Sequence, residues 1–344
     1  MHVIVPAAGL SSRFPEMKPK YLLYDYSHKL MIQRSIEPYI EMSCPVTIGI
    51  LKEHDEKYHA SEFIKHEIGD KVNVVVLPEV TRGPADTVYQ IIKKSDSIGD
   101  YDEILIKDCD SFFEHEYTPG NYVCVSHIAE HEVLKKIAAK SFVVSNDQGI
   151  ITDIVEKKVV SDTFCVGGYK FTSAKLYCDV FDQISSNNEI FVSDVIQRLL
   201  FHKTIITEKR VTNYVDVGTA DDWFEFNDKP VIFCDIDGTL IKNQNRVGVD
   251  TYDDNPVMLY KNIKLMLEYQ NNGAQFIFTT SRPKQYESRT RQVLDDLGFR
   301  DYQLLIGLLN SRRILVNDYN KANPYPRAVA INIPRNSDTL NDFM

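Results

Sequence analysis

Apolar residues fall along this chain in short runs rich in β-branched side chains, separated by longer segments whose apolar positions recur at helical spacing. Such alternation predicts an α/β fold, with buried strands covered by helices that are apolar on one face. The strand pattern occurs at 2–6, 44–51, 72–77, 103–106, 122–127 and 141–144, and the helical pattern at 31–41, 84–94 and 192–201. The stretch 122–172 is richer in strands and predicts a mixed extension of the sheet. A second strand–helix series starts at Pro230, with strands expected at 231–234, 275–279, 304–306, 314–316 and 328–331 and helices at 256–271 and 285–297. Asn255 before Pro256 suits a helix start, because Asn caps and Pro is tolerated in the first turn. The segment 221–230 reads as the connection, with Trp223 as packing at the junction. The Asn- and Asp-rich stretch 243–255 reads as a loop. Two domains follow, 1–226 and 227–344.

Length agrees: 344 residues suit two domains. A net charge of −10 argues against a nucleic-acid binder, which presents a basic face. It leaves room for small anionic substrates held by local cations, and for carboxylate-built metal sites. The six cysteines are scattered with no CxxC pair, several in apolar runs, which favours reduced, mostly buried thiols and a cytoplasmic home. The first apolar run is short and lacks a basic leader, and no run approaches the ~20 apolar residues of a membrane span, so neither a secretory signal nor a membrane partner is expected. Assembly as a homo-oligomer stays open.

Two loops carry the candidate chemistry. Pro6-Ala-Ala-Gly-Leu-Ser-Ser-Arg13 follows the first strand pattern. The small residues Ala8, Gly9, Ser11 and Ser12 let backbone N–H groups approach a phosphate, with Arg13 and Lys20 as cations. Read by itself, this loop is equally well an ordinary strand–turn. Asp235-Ile-Asp237-Gly-Thr-Leu240 follows a buried strand pattern, where two carboxylates two positions apart bend towards one cavity. His127 and His131 flank Glu130, but the spacing is not HExxH and the segment starts in a strand, so a metal site is not expected there.

The first loop, with Pro19-Lys20 after it, resembles the signature of the sugar nucleotidyltransferase superfamily, and the resemblance continues over roughly 1–225. Thr81-Arg-Gly83-Pro-Ala-Asp-Thr-Val88 is similar to the family's base-contacting segment, Asp108-Cys-Asp110 to its metal aspartate, Glu156-Lys157 with Gly167-Gly168 to its sugar-phosphate pocket, and Asp216 to its second metal ligand. Many relatives have Gly at the position of Ser11. The resemblance implies a Rossmann-like, mixed-sheet (GT-A-like) domain that joins a nucleoside triphosphate to a sugar or polyol phosphate and releases pyrophosphate. Asp108, Asp216 and in some readings Asp110 would hold Mg2+, Arg13 and Lys20 the triphosphate, and Lys157 the incoming phosphate.

The second loop resembles the first motif of haloacid dehalogenase (HAD) superfamily phosphatases, over about 230–335. The resemblance implies a capless HAD-like Rossmannoid domain that hydrolyses phosphate monoesters through Mg2+ and an aspartyl-phosphate. Asp235 would be the nucleophile, Asp237 the acid and base, Thr280 the phosphate-holding residue and Arg313 the neutralising cation, with Asp318 completing the metal site. Products of such a pairing typically feed surface polysaccharide assembly. A transferase with an inactive or regulatory second domain, and a nucleotide-binding scaffold without turnover, are the alternatives.

Overall fold

In the computed structural model, the described residues are 1–131, 137–186, 188–243, 256–318 and 328–344. The chain divides into two compact units, Met1–Asn227 and Asp228–Met344.

The first unit runs β1 (His2–Pro6), α1 (Met31–Glu41), β2 (Val46–Leu51), α2 (Lys52–Tyr58), α3 (Ala60–Ile68), β3 (Val72–Leu77), α4 (Pro84–Lys94), β4 (Ile104–Lys107), β5 (Ser111–Glu114), β6 (Asn121–His127), β7 (Ser141–Ser145), β8 (Ile151–Glu156), β9 (Thr163–Phe171), α5 (Ala174–Phe181), α6 (Val192–Phe201), β10 (Ile206–Arg210), β11 (Thr212–Asp216) and α7 (Ala220–Asn227). The main sheet has the order β10-β6-β9-β4-β1-β2-β3, with the β7–β8 hairpin joined to β9 through β7. Strands β4, β1, β2 and β3 are parallel to their neighbours in that run, and β9 lies antiparallel to both β4 and β6. This is the mixed sheet expected from the strand-rich middle of the sequence.

Strand β1 is flanked on both sides, and its residues Val3, Ile4 and Val5 are fully buried, which explains a run that is apolar throughout rather than alternating. Helix α4 begins with Pro84 after Gly83, whose φ of 129° suits glycine at the helix entry. The hydroxyl of Ser173 caps α5 by accepting from the Leu176 N–H at 3.1 Å.

Strand order explains where a site forms. From β1 the chain moves outward to β2 and β3, then returns to place β4 on the other side of β1. The loops after β1 and β4 therefore diverge at a switch point, where parallel α/β sheets open a crevice at the strands' carboxyl ends. The β4–β9 register sets Lys107 opposite Gly168, and a separate two-stranded pairing, β5 with β11, sets Asp216 opposite Ser111.

Residues 221–227 of the segment read as the connection belong to helix α7. Its Trp223 packs within the first unit against Phe14, Met31, Phe112 and Val217.

The second unit contains β12 (Val231–Asp235), α8 (Tyr260–Asn271), β13 (Gln275–Thr279), α9 (Glu287–Asp296) and β14 (Gln303–Leu305), with a parallel sheet β12-β13-β14. Its core gathers Ile236, Leu240, Phe276, Phe278, Leu294 and Phe299. Helix α8 starts at Tyr260 rather than at Pro256, and Asn255 lies outside the described residues, as do 244–254 of the expected loop. The strands expected at 314–316 and 328–331 do not form. Ile314, Val316 and Val329 are about three-quarters exposed or more (75%, 87% and 74%), so their apolar run finds neither a strand partner nor a core.

Candidate functional site

The loop after β1 turns tightly. The Phe14 N–H donates to the Ser11 carbonyl at 2.8 Å, and Ser11 adopts a left-handed φ of 52°. Glycine adopts this conformation freely; here the Ser11 hydroxyl compensates by accepting the Lys20 N–H at 3.1 Å. Ala8 is buried, Gly9 has open space where a Cβ would stand, and Ser12 and Arg13 are exposed.

Opposite this loop lies a carboxylate cluster. Lys107 is fully buried and donates to the carbonyls of Asp108 and Ser111 and to the Ser111 hydroxyl (2.7, 2.5 and 2.9 Å), which fixes the turn between β4 and β5. Loss of hydration pushes its ammonium down to about 8. At the tip of this turn, Asp110 accepts from Lys20 at 2.5 Å. Burial opposes its charge most strongly, but Lys20, Lys140 and Lys107 together hold the Asp110 carboxyl below its ordinary range. Asp216 pairs with Lys140, which also donates to the Tyr214 hydroxyl at 2.7 Å.

The two carboxylates converge over Gly218, where a Cβ would meet Asp216 Oδ1 at 3.0 Å and Asp110 Oδ2 at 3.2 Å, with Arg13 Nη1 at 3.9 Å. Asp108 is set differently. Its carboxyl lies against Gly167, where a Cβ would fall 2.4 Å from Oδ2, and desolvation followed by the Asp110 charge pushes it up. The structure thus pairs Asp216 with Asp110 rather than with Asp108. The glycines 167 and 168 are there for close approach, since a Cβ on Gly168 would strike Cys124 Sγ and Phe113 at 2.8 Å.

Among the described residues no group of three or more His, Cys, Asp or Glu side chains converges on one point. The donor set still fits magnesium: two hard carboxylate oxygens face one another across a glycine, and Mg2+ commonly takes one or two carboxylates, filling its remaining positions with water and substrate phosphates.

The other residues expected at this site lie near its margins. Glu156 accepts from the hydroxyls of Ser141 and Ser193, and Lys157, exposed, sets its ammonium 4.2 Å from the centre of the Phe191 ring. Gly83 presses on the 189–190 backbone, where a Cβ would lie 2.6 Å from the Ile190 carbonyl. Sequence reasoning missed Lys140 and Tyr214. Only the β7–β8 register, Ser141 opposite Glu156, shows that Lys140 stands beside Lys157.

In the second unit, β12 and β13 end side by side, with Asp235 opposite Thr279. Asp237 is closely held. Arg282, itself buried, grips both carboxylate oxygens at 2.7 to 3.1 Å, and the Thr280 hydroxyl donates to Oδ2 at 2.8 Å. Thr280 is thus spent on Asp237. The Asp235 carboxyl is pushed up, by loss of hydration first and the Asp237 charge second, against Thr239, Arg313 and Arg335. Arg313 donates to the carbonyls of Leu309 and Ser311, and Asp318 is exposed at the end of the segment that forms no strand. Two cations here escaped the sequence reading. Arg282 has a signal in hindsight, following the expected threonine by two positions; Arg335, against Gly238 at a Cβ distance of 3.1 Å, has none.

No protein-family model matches the chain, and no curated protein matches it. Solved structures do. A nucleoside-diphosphate-sugar pyrophosphorylase from Vibrio cholerae RC9 aligns with a TM-score of 0.54 at 19% identity, covering 65% of this chain and 98% of its own. An inositol-1-phosphate CTP transferase from T. maritima gives 0.54 at 16%, covering 64% and 90%. A Bacillus anthracis protein described as a glucose-1-phosphate thymidylyltransferase, solved with a sucrose, gives 0.53 at 17%, covering 65% and 92%. At these identities the likeness establishes a shared α/β fold with a mixed sheet. No helix among the described residues is long and apolar enough to cross a membrane.

Proposed function

We propose that the first unit transfers a nucleotidyl group from a nucleoside triphosphate to a sugar or polyol phosphate. The observation that carries this reading is the Asp110–Asp216 pair over Gly218, each carboxylate matched with a lysine, at the switch point beside the small-residue loop. The names of the fold neighbours point the same way.

Transfer brings two anions together. An oxygen of the acceptor phosphate bonds to the α-phosphorus, the bond from that phosphorus to the bridging oxygen breaks, and its electrons leave with pyrophosphate. The acceptor is its own nucleophile, so the protein acts by positioning and by offsetting charge. Arg13 and Lys20 hold the triphosphate over the loop after β1, Lys157 orients the acceptor phosphate, and Asp110 and Asp216 would hold the cation. Magnesium supplies charge neutralisation between the two phosphates when bound. Asp108 shapes the turn under Gly167.

The test is a matrix of nucleoside triphosphates against sugar and polyol phosphates, read as pyrophosphate. At least one pair gives Mg2+-dependent release, lowered by about 100-fold or more in Asp216→Asn, the scale expected for a lost electrostatic group at the transition state. Release from no pair sinks the reading in favour of a nucleotide-binding scaffold.

For the second unit, the aspartate pair after β12 supports HAD-like phosphate-monoester hydrolysis through Asp235. Sequential trimming and activation of one bisphosphorylated substrate would then supply an activated sugar for polysaccharide assembly. The grip of Arg282 and Thr280 on Asp237 favours a second reading, in which this unit binds phosphate without turning it over.

A further inference from the structure

Lys140 holds a position that the transfer chemistry leaves without a role. It stands immediately before β7, its ammonium paired with Asp216 and donating to the Tyr214 hydroxyl at 2.7 Å. It engages Oδ2 of Asp216, while Oδ1 accepts the Gly218 N–H at 2.9 Å on the side where Asp110 approaches. Its own carbonyl accepts the Lys157 N–H at 3.0 Å, so the two lysines are backbone neighbours. Asp108 and Asp110 also feel its charge, and its side chain is only 17% exposed. An ammonium this withdrawn from water needs hydrogen-bond acceptors at every stage of a binding cycle, and Asp216 is the charged one it holds here.

We propose that Lys140 is an exchangeable latch, which neutralises Asp216 until that carboxylate takes up a divalent cation and then swings to the acceptor phosphate beside Lys157. This rests on the nucleotidyltransferase reading for the identity of the phosphate. The cation and the ammonium compete for one carboxylate, while a phosphate offers the displaced ammonium a new partner. The flexible four-carbon stem of lysine allows the move. Cation and acceptor phosphate therefore bind with positive coupling, and the coupling is reciprocal.

The full chain is tested by Mn2+ binding, read from the electron paramagnetic resonance of free Mn2+, with and without glucose 1-phosphate and with metal–phosphate association subtracted. Wild type should bind Mn2+ about fivefold more tightly in the presence of glucose 1-phosphate, the lower end of usual coupling energies. Lys140→Met should bind Mn2+ more tightly than wild type without phosphate, again by about fivefold, and should lose the phosphate effect. Lys140→Gln, with a polar head, replaces it if Lys140→Met shows no cooperative melt. An unchanged or weaker Mn2+ affinity in the folded variant overturns the latch, as does an Asp216→Asn variant that binds as many Mn2+ ions as wild type.

The pyrophosphate matrix separates the two ideas. Pyrophosphate release with an unaltered Mn2+ affinity in Lys140→Met sinks the latch and keeps the transferase. Tightened Mn2+ binding without pyrophosphate from any pair keeps the carboxylate exchange and sinks the transferase.

Discussion

His115 links Tyr39 and Tyr122, with ring nitrogens 3.4 and 2.9 Å from their hydroxyls. Loss of hydration, aided by Lys209 and Lys107, pushes the imidazole down to about 4. The folded chain thus binds this proton less readily than the unfolded chain, whose histidine titrates near 6.5. The stability it supports is present above that value and is lost as pH falls towards 4. His2 and His54 are shifted in the same direction, also by burial first. Urea melts between pH 7 and pH 4 should show a loss of about 2 kcal/mol attributable to His115, a figure discounted for its partial exposure. His115→Gln should flatten that limb of the curve; an unaltered slope would assign the loss to other groups. Lys107 and Lys170, also fully buried, show the other way to keep a polar group inside: each is met by several acceptors, Lys170 by Glu103 and the Gly120 carbonyl.

Among the elements, α8 has a role in the second site that its sequence hides. Asn262 is fully buried on its first turn. Its amide donates to the carbonyls of Thr239 and Ser337 at 2.8 Å and accepts the Leu340 N–H at 2.9 Å. One side chain thus ties the Asp235–Leu240 loop to the C-terminal turn. Asn262→Ala leaves these backbone groups without their partner and should lower stability by about 2–4 kcal/mol, measured by the denaturant midpoint, through unpaired buried polar groups. A loss under about 0.5 kcal/mol would mean that water replaces the amide. Elements with strong periodicity were legible: α1, α4 and α6 and strands β1, β3 and β13 match the apolar pattern residue for residue. Helix α2, Lys-Glu-His-Asp-Glu-Lys-Tyr, has no apolar stripe and could not be read; only its His54 is buried. The run at 314–316 shows the converse failure, because apolar residues form a strand only where an edge is available to pair with them. The candidate sites divide in the same way. Loop motifs named Arg13, Asp110, Asp216, Asp235 and Asp237, and Arg282 lies two positions past Thr280 in one of them, whereas Lys140 and Arg335 enter through strand register and tertiary contact, which no local window contains.

At the scale of the whole molecule, two units with separate cores each carry a loop of carboxylates at the end of a strand, buried in the first unit and largely exposed in the second, inside a chain of net charge −10. The anionic substrates proposed above would then be drawn by local cations rather than by the overall field: Arg13, Lys20, Lys140 and Lys157 in the first unit, Arg282, Arg313 and Arg335 in the second. The clusters are built differently. In the first, each lysine faces one carboxylate: Lys140 engages Oδ2 of Asp216 and leaves Oδ1 towards Gly218, while Lys20 engages Oδ2 of Asp110, the same oxygen that nears Gly218. In the second, a buried arginine occupies both oxygens of Asp237, a tighter arrangement that proton transfer would have to loosen. Single substitutions should therefore separate the chemistries. On the proposed reading, Asp235→Asn should abolish inorganic phosphate release from a panel of phosphate monoesters and leave pyrophosphate release within about twofold of wild type, because the proposed nucleophile and the Asp110–Asp216 pair belong to separate units. Asp216→Asn should do the reverse. Phosphate release that persists in Asp235→Asn would remove this aspartate as nucleophile. A wild-type chain that releases no phosphate from any ester, yet makes pyrophosphate, would leave the second unit as a phosphate-binding element whose Asp237 stays with Arg282.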